Sequence, residues 1–169
     1  MQLSWQEALK NALRRLAKDN PPGRLAILGV GNELNGDDGA GLKAARSLRS
    51  FLESYPQVLL IEAGLAPENF TGLLRRFQPS LVLLIDAAQM DEQPGAIAWV
   101  KWQETDGFSA SSHSLPPSVL ATFLIAEMHC QVALLAIQVE QIELGKPISR
   151  PVKKAIAKIV REIKETLRL

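Results

Sequence analysis

Continuous apolar runs alternate with amphipathic segments along this 169-residue chain. Strands 1, 2, 3 and 5 are continuous apolar runs, which predicts parallel strands covered on both faces. Strand 4 has a two-residue spacing, with Ile97, Trp99 and Lys101 on one face and Ala98, Val100 and Trp102 on the other, and it is joined to strand 3 by only nine residues. A parallel crossover needs about a dozen or more, so strand 4 is predicted to run antiparallel at an edge of the sheet. In chain order, the predicted strands cover residues 24–29, 58–61, 81–85, 96–102 and 132–138.

Helices are predicted before, between and after these strands. Ser4 and Glu7 have the spacing of a capping box, and the apolar residues that follow recur at helical period until the breaker run 19–23. Further helices are predicted up to about residue 52, over 67–77 and 116–128, and from a cap at Ser149 to the C-terminus. We therefore divide the chain into an N-terminal helical extension, 1–23, and one α/β domain, 24–169. The apolar stripe of the extension needs cover, either from the flank of the domain or as a docking arm for a partner.

Composition narrows the class of protein. Hydrophobic residues make up 47% of the chain and charged residues 22%, as in ordinary globular proteins. A formal net charge of +1 argues against nucleic acid as a partner. The lone Cys130 excludes an internal disulfide and a multi-cysteine zinc site, and with no signal peptide it predicts a cytoplasmic protein. No apolar run approaches the ~20 residues of a membrane span, so no membrane insertion is expected.

The glycine-rich turn 31–41 is the most informative segment of the chain. It carries adjacent carboxylates, Asp37 and Asp38, between strand 1 and a helix start. Open α/β folds bind ligands in the crevice outside the carboxyl ends of their strands, and a helix N-terminus favours the ionised form of a nearby carboxylate. The turn therefore predicts a cation-binding site. The alternative is that Asp37 or Asp38 is only the N-cap of the helix.

Other known functional motifs are not supported by the sequence. A dinucleotide fingerprint beginning at Gly29 would need a third glycine where Leu34 stands. A P-loop ending at Gly145-Lys146 would need a glycine at Glu140. The serines around His113 do not define a catalytic triad, because a triad is a matter of geometry.

Three side chains are predicted to converge on one crevice. Asp38 follows strand 1, Asp86 ends strand 3, and His113 lies in a polar loop long enough to return to the same edge. Two carboxylates and an imidazole suit a divalent first-row metal. The alternatives are that Asp86 only caps its strand and that His113 is an ordinary surface histidine.

Seven short motifs occur in a familiar order along the chain. They are GVGN (29–32), GDDGAG (36–41), IEAGLAPEN (61–69), LIDA (84–87), PG (94–95), HSLP (113–116) and AIQ (136–138). This set resembles the hydrogenase maturation endopeptidases, most closely the branch that processes formate-hydrogenlyase-type hydrogenases. These proteases remove a C-terminal peptide from the large subunit of [NiFe]-hydrogenases after nickel insertion.

The resemblance implies a fold, a site and a partner. The fold is a three-layer α/β/α sandwich of the phosphorylase/hydrolase-like type, with a five-stranded mixed sheet in the order 2-1-3-5-4 and strand 4 antiparallel. The family's nickel ligands fall on Asp38, Asp86 and His113. The nickel is carried by the substrate, a hydrogenase large-subunit precursor, and no organic cofactor is implied; the enzyme is expected to act as a monomer. Two departures are the extension 1–23 and Glu62-Ala63-Gly64, which replaces a more usual Asp-Gly-Gly.

Three other interpretations stay open at this point. Asp38 and Asp86 could share a proton as in pepsin-like proteases. The chain could be a nickel-sensing chaperone that does not cleave, or an unrelated metal-dependent hydrolase that binds its metal tightly. We favour substrate-borne nickel, because Cys130 is predicted at the end of the sheet away from the crevice and no further strong ligand is evident.

Overall fold

The computed structural model of the protein describes residues 3–102 and 116–168. Within these residues five strands form one sheet in the order β2-β1-β3-β5-β4. All neighbouring strands are parallel except β4, which runs antiparallel to β5. The order and the antiparallel edge strand predicted from the sequence are therefore confirmed. The strands are β1 (Leu25–Val30), β2 (Val58–Gly64), β3 (Leu81–Ala88), β4 (Ile97–Lys101) and β5 (Gln131–Gln138).

Helices cover both faces of the sheet and complete a three-layer α/β/α sandwich. One core joins the sheet to α1, α2 and α5, and a second core joins the opposite face to α3 and α4. No helix among residues 3–102 and 116–168 has the length and apolar character to cross a bilayer. The helices are α1 (Trp5–Lys18), α2 (Ala40–Leu52), α3 (Thr71–Phe77), α4 (Pro117–Met128) and α5 (Arg150–Leu167).

Helix α1 packs on the flank of the sandwich. Its capping box forms as predicted, with the Glu7 amide donating to the Ser4 hydroxyl and the Ser4 amide donating to the Glu7 carboxylate. Leu9 and Leu13 are buried in the core shared with α5, and Lys10 forms an ion pair with Glu162 at 3.3 Å. Of the two roles considered for the apolar stripe, the structure shows the packed one.

Two strands differ from their predicted form. The prediction that β2 is covered on both faces is wrong: it is an outermost strand, and its residues alternate irregularly between buried and half-exposed. The prediction that strand 3 ends on Asp86 is also wrong. Asp86 lies within β3, because β3 continues to pair with β5 as far as Ala88 opposite Gln138.

Candidate active site

The turn after β1 places both of its carboxylates inside the protein. A 3-10 turn, Gly36–Gly39, carries Asp37 and Asp38, which are 0% and 3% exposed. The prediction that one of them caps the following helix is wrong. The N-cap position of α2 is Gly39, that of the 3-10 turn is Asn35, and neither helical segment receives a side-chain capping bond.

Close backbone packing brings this turn against β3. Gly31 has φ +129°, and a Cβ added there would lie 1.8 Å from the Asp38 carbonyl oxygen and 3.7 Å from Asp86 Oδ1. A Cβ on Gly41 would lie 2.0 Å from the carbonyl oxygen of Ile85. Glycine is required at both positions because any side chain would push the turn away from the strand. The backbone of Asp38 and the carboxyl group of Asp86 therefore both lie beside Gly31, where the turn approaches β3.

The charge of Asp38 affects the ionisation of Asp86. Burial, and then the negative charge of Asp38, raise the pKa of Asp86 to about 8, against a smaller opposing effect of the Ala87 amide. Burial also raises the pKa of Asp38, opposed by the Asn32 amide, which donates to Asp38 Oδ2 at 3.2 Å. Like charges in close proximity resist simultaneous ionisation. The pair therefore favours fewer than two negative charges at neutral pH unless a cation is present.

An apolar wall explains the desolvation of Asp86. Its carboxyl group opens into a small cavity whose other lining residues are apolar: Val30, Pro67, Leu84, Pro117, Leu120 and Leu134. Pro117 begins α4 four residues after His113 in the chain. His113 itself lies outside the described residues, so its predicted place in the site stays a prediction. Among the residues that the structure describes, no group of three His, Cys, Asp or Glu side chains is arranged to hold a metal ion.

Asp37 has a different environment from its neighbour. Its carboxylate accepts hydrogen bonds from the amides of Glu140, Gln141 and Ser149, at 2.8, 3.1 and 2.6 Å, and from the Ser149 hydroxyl at 2.9 Å. Ser149 is the N-cap residue of α5, but its hydroxyl serves Asp37 instead of the helix. Asp37 thus fastens the segment between β5 and α5 to the turn that carries Asp38.

Sequence reasoning did not separate the roles of Asp37 and Asp38. The two residues are chemically identical and adjacent, and the donors that distinguish them lie 103 to 112 residues further along the chain. The hydrogen bond from the Asn32 backbone amide to Asp38 was not predicted either, because the sequence does not show which acceptor a backbone amide contacts. These contacts are visible only in the folded structure, where segments distant in the sequence pack together.

Glu62, the residue that departs from the family pattern, is held by arginines. Arg49 and Arg46 of α2 donate to its carboxylate at 2.5 and 2.8 Å, and Arg46 also pairs with Glu33. The hydrogen bond from Arg49, followed by that from Arg46, lowers the pKa of Glu62 against the opposing effect of burial. This carboxylate therefore belongs to a surface ion-pair cluster next to the turn.

Known proteins share this fold and this sequence pattern. The family model described as hydrogenase maturation protease, HycI, matches residues 42–166. A Methanocaldococcus jannaschii protein named provisionally as a hydrogenase maturation protease is 34% identical over 155 residues, which cover 86% of this chain and 91% of that protein. The hydrogenase 3 maturation protease of Escherichia coli K12 is 28% identical, over 81% of this chain and 86% of its own.

Solved structures agree with the sequence comparisons. The maturation protease HycI of Thermococcus kodakarensis superposes with a TM-score of 0.81 at 26% identity, covering 94% of this chain and 99% of that one. The crystal structure of the hydrogenase 3 maturation protease gives a TM-score of 0.71 at 28% identity, over 82% and 88% of the two chains. The relatives found by sequence and by structure are α/β proteases, which gives the class of this protein. The chain belongs to the hydrogenase maturation protease family, as the motif resemblance predicted.

Proposed function

We propose that this protein removes the C-terminal extension of a [NiFe]-hydrogenase large-subunit precursor after nickel has been inserted. In this proposal Asp38, Asp86 and His113 contact the nickel that the precursor carries. The nickel is part of the substrate, and the reaction uses no organic cofactor. The membership of the chain in a family of hydrogenase maturation proteases supports both the reaction and the class of substrate.

One observation carries the proposed site. Two carboxylates from separate elements, Asp38 in the turn after β1 and Asp86 in β3, meet closely enough that the charge of Asp38 raises the pKa of Asp86. The cavity beside Asp86 is bounded by apolar side chains, so a bound group there is sheltered from water. If both carboxylates are ionised, they repel each other. A divalent cation placed between them would relieve that repulsion.

Cation recognition follows from the same electrostatics. A proton retained by the pair at neutral pH leaves when a nickel ion approaches, because the ion supplies the positive charge that both carboxylates lack. Two carboxylates and one imidazole hold a borderline ion weakly, whereas thiolates of the precursor bind it strongly. A precursor without nickel provides no cation for this pair of carboxylates. The enzyme therefore distinguishes nickel-loaded from nickel-free precursor before cleavage.

The test uses the full chain with both forms of the precursor. The protein is incubated with nickel-loaded and with nickel-free large subunit, and each product is weighed by mass spectrometry. We expect loss of a C-terminal peptide only from the nickel-loaded form. Binding without cleavage would instead identify a nickel-sensing chaperone. Cleavage of both forms would refute recognition of the metal while leaving the protease assignment intact.

A single substitution tests the part played by Asp38. Asp38→Asn removes the charge and preserves nearly the same volume, so the fold should persist while processing falls at least ~100-fold, the scale expected when a transition-state or positioning contact is lost. Asp19→Asn, at an exposed carboxyl after α1, is the matched control and should process normally. Wild-type processing by the Asp38 variant would remove this residue from the mechanism.

A further inference from the structure

Two loops beside the site present apolar side chains to solvent. Leu34 is 64% exposed and Leu144 is 79% exposed, and with Pro147 they form the apolar part of a groove of about 360 Å³, whose other lining residues are Glu33, Gly145 and Lys146. Leu34 belongs to the turn that carries Asp38, and Leu144 and Pro147 belong to the segment between β5 and α5. We call this surface, formed by Leu34, Leu144 and Pro147, the apolar ledge. Single exposed leucines are ordinary, but a shared groove next to a site indicates binding.

The apolar ledge is held in place by specific hydrogen bonds. The Gly145 amide donates to the Leu34 carbonyl at 2.8 Å, which joins the two loops directly. Gln141 donates to the Pro147 carbonyl at 2.9 Å, and its own amide donates to Asp37. The buried carboxylate of Asp37 thus anchors the segment that carries Leu144. A surface fixed before binding loses less conformational entropy when a partner occupies it.

A short chain of contacts joins the apolar ledge to Asp38. The Leu34 amide donates to the Asn32 side-chain oxygen at 3.0 Å, and the Asn32 amide donates to Asp38 Oδ2 at 3.2 Å. Leu34 is therefore separated from the Asp38 carboxylate by one residue and two hydrogen bonds. A polypeptide bound at Asp38 is therefore within reach of Leu34. This continuity identifies the occupant of the apolar ledge as part of the same macromolecule that reaches the carboxylates.

We propose that the apolar ledge binds an apolar segment of the hydrogenase precursor that adjoins its nickel site, and that Asp37 is a positioning residue for this contact. The inference rests on the proposed function for the identity of the partner. Asp37 does not touch the reacting groups; it holds the segment that carries Leu144 at a fixed distance from Asp38. The apolar ledge then contributes to affinity for the precursor, and the paired carboxylates contribute to recognition of the metal.

The test measures binding and cleavage separately. Leu34→Ser combined with Leu144→Ser removes both leucine side chains while leaving Asp38 and Asp86 unchanged. We expect the Kd for nickel-loaded precursor to rise about tenfold or more, which corresponds to the loss of partial burial of two leucines, with kcat nearly unchanged. Leu3→Ser, at a 57% exposed leucine before α1, is the matched control and should bind as the wild type does.

The positioning role of Asp37 has its own measurement. Asp37→Asn should raise the Kd as the ledge variant does, and combining it with Leu34→Ser and Leu144→Ser should add little, because all three changes act on one contact. When Leu144 is replaced by methionine instead of serine, binding should stay at the wild-type level, since methionine offers a similar apolar volume. Urea unfolding of each variant identifies any that loses its fold. Because the ledge variant changes only exposed residues, it decides the proposal even if Asp37→Asn unfolds.

The possible outcomes test the protease function and the role of the apolar ledge separately. Wild-type binding without cleavage would contradict the protease function and leave the apolar ledge to be judged from Kd alone. An unchanged Kd in the Leu34 and Leu144 variant, with normal wild-type binding, would overturn the apolar ledge and leave the protease function standing. Absence of precursor binding by the wild type would overturn both.

Discussion

Replacing Asp86 with asparagine should remove a pH-dependent loss of stability. Burial and the charge of Asp38 raise the pKa of Asp86 from 3.8 to about 8 in the folded chain. Between these two values the folded protein holds a proton that the unfolded chain has released. Stability from this group is therefore complete below the unfolded pKa and is lost as the pH rises towards 8. An asparagine side chain does not titrate, so the variant should lack this contribution.

The size of the effect follows from the displacement of the pKa. Each pKa unit corresponds to about 1.4 kcal/mol, so the full displacement sets an upper limit of roughly 5–6 kcal/mol above pH 8. Asp86 is partly exposed, so water at the edge of its cavity and relaxation around the pair reduce this value, since even buried sites behave with an effective dielectric constant of roughly 20. We expect a loss of about 2 kcal/mol in the free energy of unfolding between pH 5 and pH 8.5.

Urea unfolding at these two pH values, with a chelator present, measures the difference directly. The wild type should lose stability relative to Asp86→Asn as the pH rises, and the variant should be the more stable protein at pH 8.5. Titrations elsewhere in the chain, apart from that of the coupled Asp38, are common to both proteins and cancel in the comparison. Asp19→Asn, at an exposed position, should follow the wild type. Parallel pH profiles for the wild type and Asp86→Asn would refute the reasoning.

Two further predictions concern the flank and the metal. Leu9→Ala should lower the free energy of unfolding by about 2–4 kcal/mol, since Leu9 is 0% exposed in the core that α1 shares with α5; a change below about 0.5 kcal/mol in urea unfolding would show that α1 contributes little to stability. The purified protein should contain far less than one equivalent of nickel or zinc by elemental analysis, because two carboxylates and one imidazole, without a thiolate, hold such ions weakly. A stoichiometric metal that resists chelators would support a resident-metal hydrolase instead.

The sheet was largely predictable because its determinants are local. Apolar runs mark the buried strands, and the short connection before β4 leaves no room for a parallel crossover. The exact order of the strands came from the family resemblance. The extension of β3 beyond Asp86 was not predictable, because it depends on pairing with β5 as far as Gln138. The partial exposure of β2 was missed because an apolar run does not reveal how completely helices cover an outermost strand.

The candidate site was predictable in part. Asp38 and Asp86 were chosen because the carboxyl ends of neighbouring parallel strands meet at one edge, and the structure brings them together there. The role of Asp37 was hidden because its partners are backbone amides distant in the chain. The apolar ledge was equally hidden: Leu34 and Leu144 are joined by one backbone hydrogen bond between loops, and no periodic pattern predicts such a contact.

The unequal hydrogen bonding of Asp37 and Asp38 limits which ions the turn can retain. Calcium and magnesium bind where several carboxylate and carbonyl oxygens are free to surround them. Asp37 has both oxygens engaged by four donors, so an ion entering the turn meets the Asp38 carboxylate without a competing neighbour. We therefore expect calcium to bind only weakly in the crevice, because Asp37 contributes no free oxygen to its coordination. The crevice remains accessible to an ion that is already coordinated by softer ligands of another molecule.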